Sequence, residues 1–380
     1  MQEYPKNSKT FDLIVIGAGF CGSLVAIKGD DLGLRVKSID TLAEYPDNFR
    51  AEKLETDQSE ALATLGLLDQ VRPQVSQNIK QVHTFTGTKE TITPISNHRG
   101  MHYSDTVNQL RSIMKERRIL EIQKVAEIRD GSDFCQVRLD DGTLLQTRLL
   151  VLATGMGAGF RRPLGLKSLA SDKLKSLTFG FYMESSSTNT LPYTAFNFRP
   201  SKFSEGLQYA TFFPIGSRMR VNLFTCWDPR SDVAKAVRKC PMTELYRLFP
   251  TMERRIGAMH YASEVQAYTT RYYRLNAEHL NRIVLAGDAY QSVSPATGVG
   301  LSKCLVDAQV LVDLMPTLAE SSSAQVQIKN YYQDTRKTRI DDIALKRWQL
   351  VNELATSQSL RTKLKILKHR IGPRIRKIIG

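Results

Sequence analysis

Residues 11–22 read FDLIVIGAGFCG, and the reading of this stretch decides the fold. FDLIVI is a short, continuous apolar run, the pattern of a strand buried on both faces of a parallel sheet. It breaks on Gly17-Ala18-Gly19-Phe20-Cys21-Gly22 and passes into the apolar run SLVAI, so strand, tight turn and helix follow in order. In a G-x-G-x-x-G turn the first glycine makes the bend, the second admits backbone close to a pyrophosphate, and the third lets helix pack against strand. The next strand is RVKSID, ending on Asp40, where an acid can bind a ribose hydroxyl. With strand, helix and distant acid in place, the fingerprint predicts dinucleotide binding in a Rossmann-like α/β domain, against the blander reading of a structural glycine turn.

Farther along, strand-like runs at 123–129, 134–139 and 143–149 are separated by Asp130-Gly131 and Asp141-Gly142. Asp-Gly is a hairpin signal because both turn positions need positive φ, so a three-stranded meander is expected, leading into LLVLATG. From about 176 to 270 the texture changes to alternating, aromatic-rich segments such as FGFYME, YATFFPIG and MRVNLFTCW. These predict a second, mainly antiparallel sheet with a hairpin at 214–217. The chain then returns to an apolar run, RIVL, followed by residues 286–300, AGDAYQSVSPATGVG, and a long helical tail.

That late stretch chooses between dinucleotides. A strand, then Gly287-Asp288, then Pro295-x-x-Gly298-x-Gly300 and a helix resembles the second flavin motif of the class A flavoprotein monooxygenases, the para-hydroxybenzoate hydroxylase family. The resemblance implies FAD. It puts the acid on the ribityl chain and brings a helix N-terminus to the N1–C2=O edge of the flavin, where dipole and free N–H groups stabilise negative charge. Arg50 with the following AEKLETDQSEALATLGLLDQV looks like the family's arginine-bearing loop and helix, which implies that Arg50 approaches the flavin or its phosphates; a solvated loop charge is the alternative. The resemblance runs from the first strand to the helix after Gly300. It implies an α/β fold in which 1–75, 106–175 and 276–320 form a discontinuous FAD-binding domain, 76–105 and 176–275 an inserted, mainly antiparallel substrate domain, and 321–380 a C-terminal helical region.

Three departures mark a divergent member. Ala153-Thr154-Gly155 stands where the family usually shows Ala-Asp-Gly, with Arg161 and Arg162 following, and the missing carboxylate implies slow reduction by free nicotinamide. Tyr290 stands where many members carry histidine, and Asn108-Gln109 lie near the usual place of an arginine. The family's reaction implies NAD(P)H as electron donor, O2 as co-substrate and a flavin C4a-hydroperoxide that hydroxylates or epoxidises a lipophilic small molecule, aromatic or polycyclic. No catalytic base stands out. His83, His102 and His260 are candidates for activating a phenol, with a structural or surface role as the commoner alternative for each. Phe181, Tyr182, Tyr209, Phe212 and Phe213 are candidates for lining the substrate pocket, with ordinary sheet core as the alternative.

Composition limits the other readings. With 42% hydrophobic and 24% charged residues the chain is globular, and 380 residues suffice for more than one domain. The 5 cysteines contain no C-x-x-C pair, so neither a disulfide framework nor a structural zinc site is indicated, and a reducing cytoplasm is the expected location. The polar opening MQEYPKNSKT and the short run after it are unlike a signal sequence or a membrane span. A net charge of +15 favours an anionic partner. In the final stretch, RTKLKILKHRIGPRIRKIIG, Leu364, Leu367, Ile371, Ile375 and Ile378 would share one helical face among cations, although Gly372-Pro373 should kink it. This resembles an interfacial anchor for an anionic membrane surface; a helix docked on the fold is the alternative, and nucleic acid ranks third because no aromatic residue is there to stack on bases. Trp227 and Trp348 are the only tryptophans, so the Trp-x-Trp-x-Ile-Pro signature of flavin-dependent halogenases is absent. The remaining alternatives are an FAD-dependent reductase or oxidase without oxygen insertion, and a non-catalytic binding protein on a flavin fold.

Overall fold

The computed structural model describes residues 9–71, 75–185, 194–200, 205–320 and 324–356, and two sheets organise them. The first grows from Lys9–Ile16, which pairs in parallel with Val36–Asp40 on one side and Leu144–Leu152 on the other. Leu120–Ile122 and Ile283–Leu285 extend it in the same sense. Parallel strands with helices across their faces are buried on both sides, and Leu13, Ile14 and Val15 are accordingly without solvent contact, as their unbroken apolar run requires. The helix Phe20–Asp31 is buried around most of its circumference, packed against the helices Tyr103–Glu116 and Gly300–Glu320. Its sequence carries no polar stripe because little of it faces water.

Val125–Arg129, Cys135–Leu139 and Leu144–Leu152 form the antiparallel meander. Its turns depart from the Asp-Gly expectation. Gly142 takes φ 88°, but Asp141 stays at negative φ and its carboxylate accepts the Thr143 N–H at 2.8 Å. Asp130 and Gly131 also avoid positive φ. The Asp130 carboxylate instead accepts the N–H groups of Asn281 at 2.7 Å and Arg282 at 2.9 Å, tying the meander to the strand that enters the late glycine motif.

The second sheet has the spatial order Met259–Tyr261, Lys167–Ser185, Arg218–Thr225, Leu207–Ile215, Thr194–Arg199, Val75–Thr86, Lys89–Met101 and Lys53–Leu54, with Gln266–Asn276 paired along Lys167–Ser185. It is antiparallel apart from the pairing of Thr194–Arg199 with Val75–Thr86. The hairpin at 214–217 turns on Gly216 at φ 61°. Pairing with Gln266–Asn276 draws this sheet back to Lys167, and Lys89–Met101 recruits Lys53–Leu54, so it reaches into segments that the sequence reading gave to the FAD-binding domain.

Alternation gives the sheet two chemically different faces. Phe179, Phe181, Phe198, Phe212 and Leu223 point to one, where the helices Asp232–Lys239, Pro241–Leu248 and Met252–Ile256 cover them with Ala234, Val237, Leu245 and Met252. Each phenylalanine so buried contributes on the order of 1.5–3 kcal/mol. Thr178, Gly180 and Asn222 have the opposite parity and line a cavity shared with residues 49–53 and the late glycine motif. Behind the cavity between the sheets runs the helix Thr335–Thr356, whose Trp348 meets Tyr272 edge-on at 5.7 Å. No described helix is long and apolar enough to cross a membrane, and the basic stretch 361–380 lies outside the described residues.

Candidate functional site

The first glycine motif is built as its spacing demands. Gly17 takes φ 101° and its N–H donates to Ile39 O at 2.8 Å, which turns the chain at the end of the strand. A Cβ on Gly22 would stand 1.9 Å from Gly17 O, so only glycine allows the helix this close. At Gly19 an added Cβ would meet nothing nearer than a Tyr45 carbon at 3.9 Å, so here the backbone is open. Gly19 also caps the helix without a side-chain partner, leaving N–H groups for an anion. Asp40 is brought to this loop: Oδ2 accepts the Ala18 N–H at 2.6 Å and Oδ1 the Leu42 N–H at 2.9 Å. Arg111, buried at 1% exposure, donates to Ala18 O at 3.0 Å and to Leu42 O, and stands 3.4 Å from Asp40. Sequence reasoning missed it, because a lone arginine on an otherwise apolar helical face carries no motif. Asn108, singled out in the sequence, donates to Tyr45 O at 3.0 Å and accepts the Tyr45 N–H at 2.7 Å, holding the loop that leads to Arg50.

The second motif closes on the same space. Ile283–Leu285 leads through Ala286 to Gly287 at φ 61° and to Asp288, whose carbonyl accepts the Tyr273 hydroxyl at 2.5 Å. The single turn Pro295–Thr297 is held from two directions, by Tyr209 Oη on Ala296 O at 2.6 Å and by Arg347 Nη1 on Thr297 O at 3.3 Å. Gly298, at φ 68°, then admits the helix Gly300–Glu320. Nothing lies within 4 Å of a Cβ added to Gly298 or Gly300, and the first turn carries no acid, so bare backbone and a helix N-terminus face the cavity.

Beneath the Gly287-Asp288 turn four charges are buried together. Lys303 lies 3.0 Å from Asp307 and 2.9 Å from Asp341, and Lys337 lies 2.8 Å from Asp307 and 3.2 Å from Asp341. Asp307 Oδ2 accepts the Gly287 N–H at 2.7 Å. Tyr290 belongs to this group: the Lys337 ammonium sits 4.2 Å from its ring centroid, and burial, with Asp341 next, pushes its hydroxyl up to about 12. A tyrosine at this position is therefore matched to a lysine far along the chain.

The cavity between the motif and the second sheet is lined by Phe49, Arg50, Glu52, Lys53, Tyr103, Thr178, Gly180, Asn222, Tyr268, Thr270, Asp288, Ser294 and the Gly298–Gly300 backbone, among others. Burial raises the Asp288 carboxyl while Arg50 and Lys303 pull it down. For Arg50 burial opposes the charge, and Tyr45 and Asp288 outweigh it. The arginine lines the cavity with its guanidinium 5.6 Å from the Tyr268 ring centroid while much of its side chain stays exposed to solvent. These residues fit an FAD. Gly19 leaves backbone exposed for phosphates, Asp288 offers a carboxyl to which no described donor is bound, and Gly298 and Gly300 clear the surface for a flat ring.

None of the five aromatic pocket candidates is among the residues lining this cavity, and strand parity accounts for two of them, whereas Tyr182, Tyr209 and Phe213 have the parity of the cavity face. Phe181 and Phe212 are core on the far face. Tyr182 packs on Phe49 at 5.3 Å, Phe213 lies under Lys53, and Tyr209 holds Ala296, so these act at one remove. The histidines are elsewhere too: His83 pairs with Glu90 at 2.6 Å, His102 meets the Tyr182 hydroxyl at 3.3 Å, and His260 lies 3.5 Å from Glu184. The polar residues missed in the sequence, Thr178, Asn222, Thr270 and Glu52, could have been found by taking the parity opposite to the buried phenylalanines and the residues just after Arg50.

A Rossmann-type sheet with two glycine motifs, an arginine and an acid around one cavity, and a separate sheet as the cavity's other wall, define a flavin-dependent oxidoreductase. The sequence matches the family described as FAD binding domain over residues 10–345, and the chain belongs to that family, the FAD-dependent class A monooxygenases related to para-hydroxybenzoate hydroxylase. No curated protein sequence matches it. Among solved structures, p-nitrophenol 4-monooxygenase PnpA from Pseudomonas putida DLL-E4 superposes with a TM-score of 0.77 at 18% identity, over 98% of this chain and 97% of that one. Klebsiella pneumoniae HpxO, complexed with FAD and uric acid, gives 0.73 at 17% identity over 99% and 96%. The flavin-dependent brominase Bmp2 gives 0.73 at 14% identity over 95% and 93%. At these identities the likeness is one of fold, shared by oxygen-inserting and halogenating enzymes alike.

Proposed function

We propose that this protein is an FAD-dependent monooxygenase that consumes NAD(P)H and O2 and hydroxylates or epoxidises a lipophilic ring compound, aromatic or polycyclic. When bound, FAD supplies two-electron transfer and the activation of O2. The observation that carries the reading is the convergence of Arg50, Asp288 and the bare Gly298–Gly300 turn on one cavity whose opposite wall is the second sheet. Gly17, Gly19, Gly22 and Asp40 would hold the adenosine diphosphate half, with the open N-terminus of Phe20–Asp31 facing the phosphates. Asp288 would accept hydrogen bonds from the ribityl hydroxyls, and Arg50 would balance its charge. The N-terminus of Gly300–Glu320 would meet negative charge on the reduced ring. Thr178, Gly180, Asn222 and Thr270 would orient the substrate and keep water away from it.

The absent Trp-x-Trp-x-Ile-Pro signature argues for oxygen insertion over halogenation. The direct test is to incubate the purified, FAD-loaded protein with NADH or NADPH in air and a panel of phenols, quinones and polyketide-like aromatics. Consumption of the nicotinamide coupled to products heavier by one oxygen atom supports the proposal. Nicotinamide oxidation that yields hydrogen peroxide alone across the panel supports an oxidase or reductase instead.

A further inference from the structure

Between Asp40 and the strand Lys53–Leu54 the chain runs through residues 41–52 without helix or strand, leading from the first glycine motif to the cavity. Such a segment has no ladder to hold its main chain, so side chains must do so. At Tyr45 a single amide does it: Asn108 Oδ1 accepts the Tyr45 N–H at 2.7 Å and Asn108 Nδ2 donates to Tyr45 O at 3.0 Å. The segment's far end is tied separately, by Ser104 Oγ on Asp47 Oδ1 at 3.2 Å and by Gln266 Nε2 on Asp47 O at 3.0 Å. Asn108 is not among the residues lining the cavity, so whatever it does there passes through Tyr45. The ring it holds has three neighbours. Tyr45 Cε2 is the nearest atom to the open side of Gly19, 3.9 Å from where a Cβ would stand. The ring meets Tyr103, a cavity residue, edge-on at 5.6 Å, and the hydroxyl interacts with Arg50, which also lines the cavity.

We propose that Tyr45 is a clasp over the diphosphate of FAD and that Asn108 is the positioning residue that sets it. This rests on the functional reading above and adds to it the residues that govern release of the cofactor. Gly19 leaves bare N–H groups for a phosphate, and Tyr45 stands beside the space that the missing Cβ leaves open. The ring keeps water from that space, which strengthens the attraction between the anion and the N–H groups facing it. Through its hydroxyl the same residue directs Arg50, so one side chain joins the phosphate turn to the cation at the cavity. The amide of Asn108 fixes where that ring lies, because both main-chain groups of Tyr45 are bound to it. Asn108, near the place where the family usually has an arginine, thus serves the cofactor without touching it.

The test uses FAD-loaded full-length protein, with release of FAD followed by the recovery of flavin fluorescence after dilution. Losing two main-chain hydrogen bonds is worth roughly tenfold in affinity, and a loosened contact shows mainly in the rate of release. Asn108→Ala should therefore release FAD roughly tenfold faster than wild type while the Tm of the apo protein stays the same. Tyr45→Ala should release it at least as fast, and adding Asn108→Ala to Tyr45→Ala should bring no further acceleration, because the amide acts through the ring. The absorbance spectrum of bound flavin should match wild type in all three variants, since the clasp meets the diphosphate and not the isoalloxazine ring. Wild-type release rates in Asn108→Ala or Tyr45→Ala overturn the proposal, as do accelerations that multiply in the double variant or an altered flavin spectrum. A fall in the apo Tm of Asn108→Ala overturns it too, by making Asn108 a residue of the fold. Failure of wild type to hold FAD would instead overturn the functional reading beneath it.

Discussion

Lys337 Nζ stands 2.8 Å from Asp307 Oδ1 with both side chains wholly buried, and Asp307 Oδ2 in turn accepts the Gly287 N–H at 2.7 Å. An ion pair between Thr335–Thr356 and Gly300–Glu320 therefore ends on the backbone of the turn that presents Asp288. Lys303 and Asp341 complete a box of two cations and two anions. Burying such a group is tolerated when every charge meets its opposite, and removing one member leaves an uncompensated charge.

Lys337→Met should accordingly destabilise the fold by about 3–5 kcal/mol and lower flavin retention. Denaturant titration followed by flavin content reads both effects. The double variant Lys337→Met/Asp341→Leu should recover part of the loss, since it removes one charge of each sign. An unchanged unfolding midpoint in Lys337→Met would mean that the box holds nothing in place.

The box also sets a pH window. For Asp307 burial opposes the charge, but Lys303 and Lys337 outweigh it and depress its carboxyl; for Lys303 burial is outweighed by Asp307 and Asp341, which raise it. A depressed carboxyl contributes stability above its unfolded value of about 4 and loses it as pH falls through the folded value, whereas a raised lysine contributes fully below about 10.4 and loses it as pH rises through the folded value. The difference in Tm between wild type and Asp307→Asn should therefore be largest across the neutral range and shrink below about pH 4. A difference independent of pH would refute this account.

The first motif separates binding from folding. Gly22→Ala must displace Gly17 O, which would lie 1.9 Å from the new carbon, and should lower stability whether or not flavin is present. Gly19→Val projects into open space and should leave the apo protein folded while excluding FAD. Asp288→Ala should also weaken FAD binding. Tm of the apo proteins and flavin fluorescence titrations distinguish these cases, and an Asp288→Ala variant with wild-type FAD affinity would remove that acid from the site.

Thr154 follows Leu144–Leu152 and abuts the Gly17 turn, its N lying 3.1 Å from where a Gly17 Cβ would be. We expect slow bleaching of the flavin by NAD(P)H in the absence of substrate, accelerated in Thr154→Asp. Stopped-flow absorbance gives the rate directly. Fast reduction of wild type, unaltered by the substitution, would detach this position from the reductive step.

The basic stretch 361–380 is expected to bind anionic membrane surfaces, each cation near the surface adding about 1 kcal/mol. A chain ending at Ser359 keeps Thr335–Thr356, including the Ala355 carbonyl that accepts the Gly206 N–H at 2.9 Å, and should remain folded and yellow. Co-sedimentation with anionic vesicles at low salt should be lost on truncation. If full-length protein ignores the vesicles and the truncated form melts early, the stretch belongs to the fold instead.

The sequence alone determined what depends on local spacing. The run FDLIVI, the glycines at 17, 19 and 22, and Asp40 specify a strand, a turn and a helix within a few residues of one another, so the dinucleotide cradle was legible, as was the second motif from Gly287 to Gly300. Local signals also marked the second sheet, and strand alternation implied two faces. What the sequence could not say was which face meets the cofactor. Of the large aromatics that drew attention, Phe181 and Phe212 belong to the parity that helices cover, Tyr182, Tyr209 and Phe213 pack beside the cavity without lining it, and the polar set Thr178, Asn222 and Thr270 faces it. Only the tertiary structure decided the contacts between distant segments: Arg111 with the Ala18 loop, Asp130 with Asn281 and Arg282 ahead of the strand Ile283–Leu285, and Lys337 with Asp307 and Tyr290. Local spacing is fixed by covalent geometry and backbone hydrogen bonding over a few residues, whereas the pairing of a buried charge is fixed by whichever helix the packing of two sheets brings beside it.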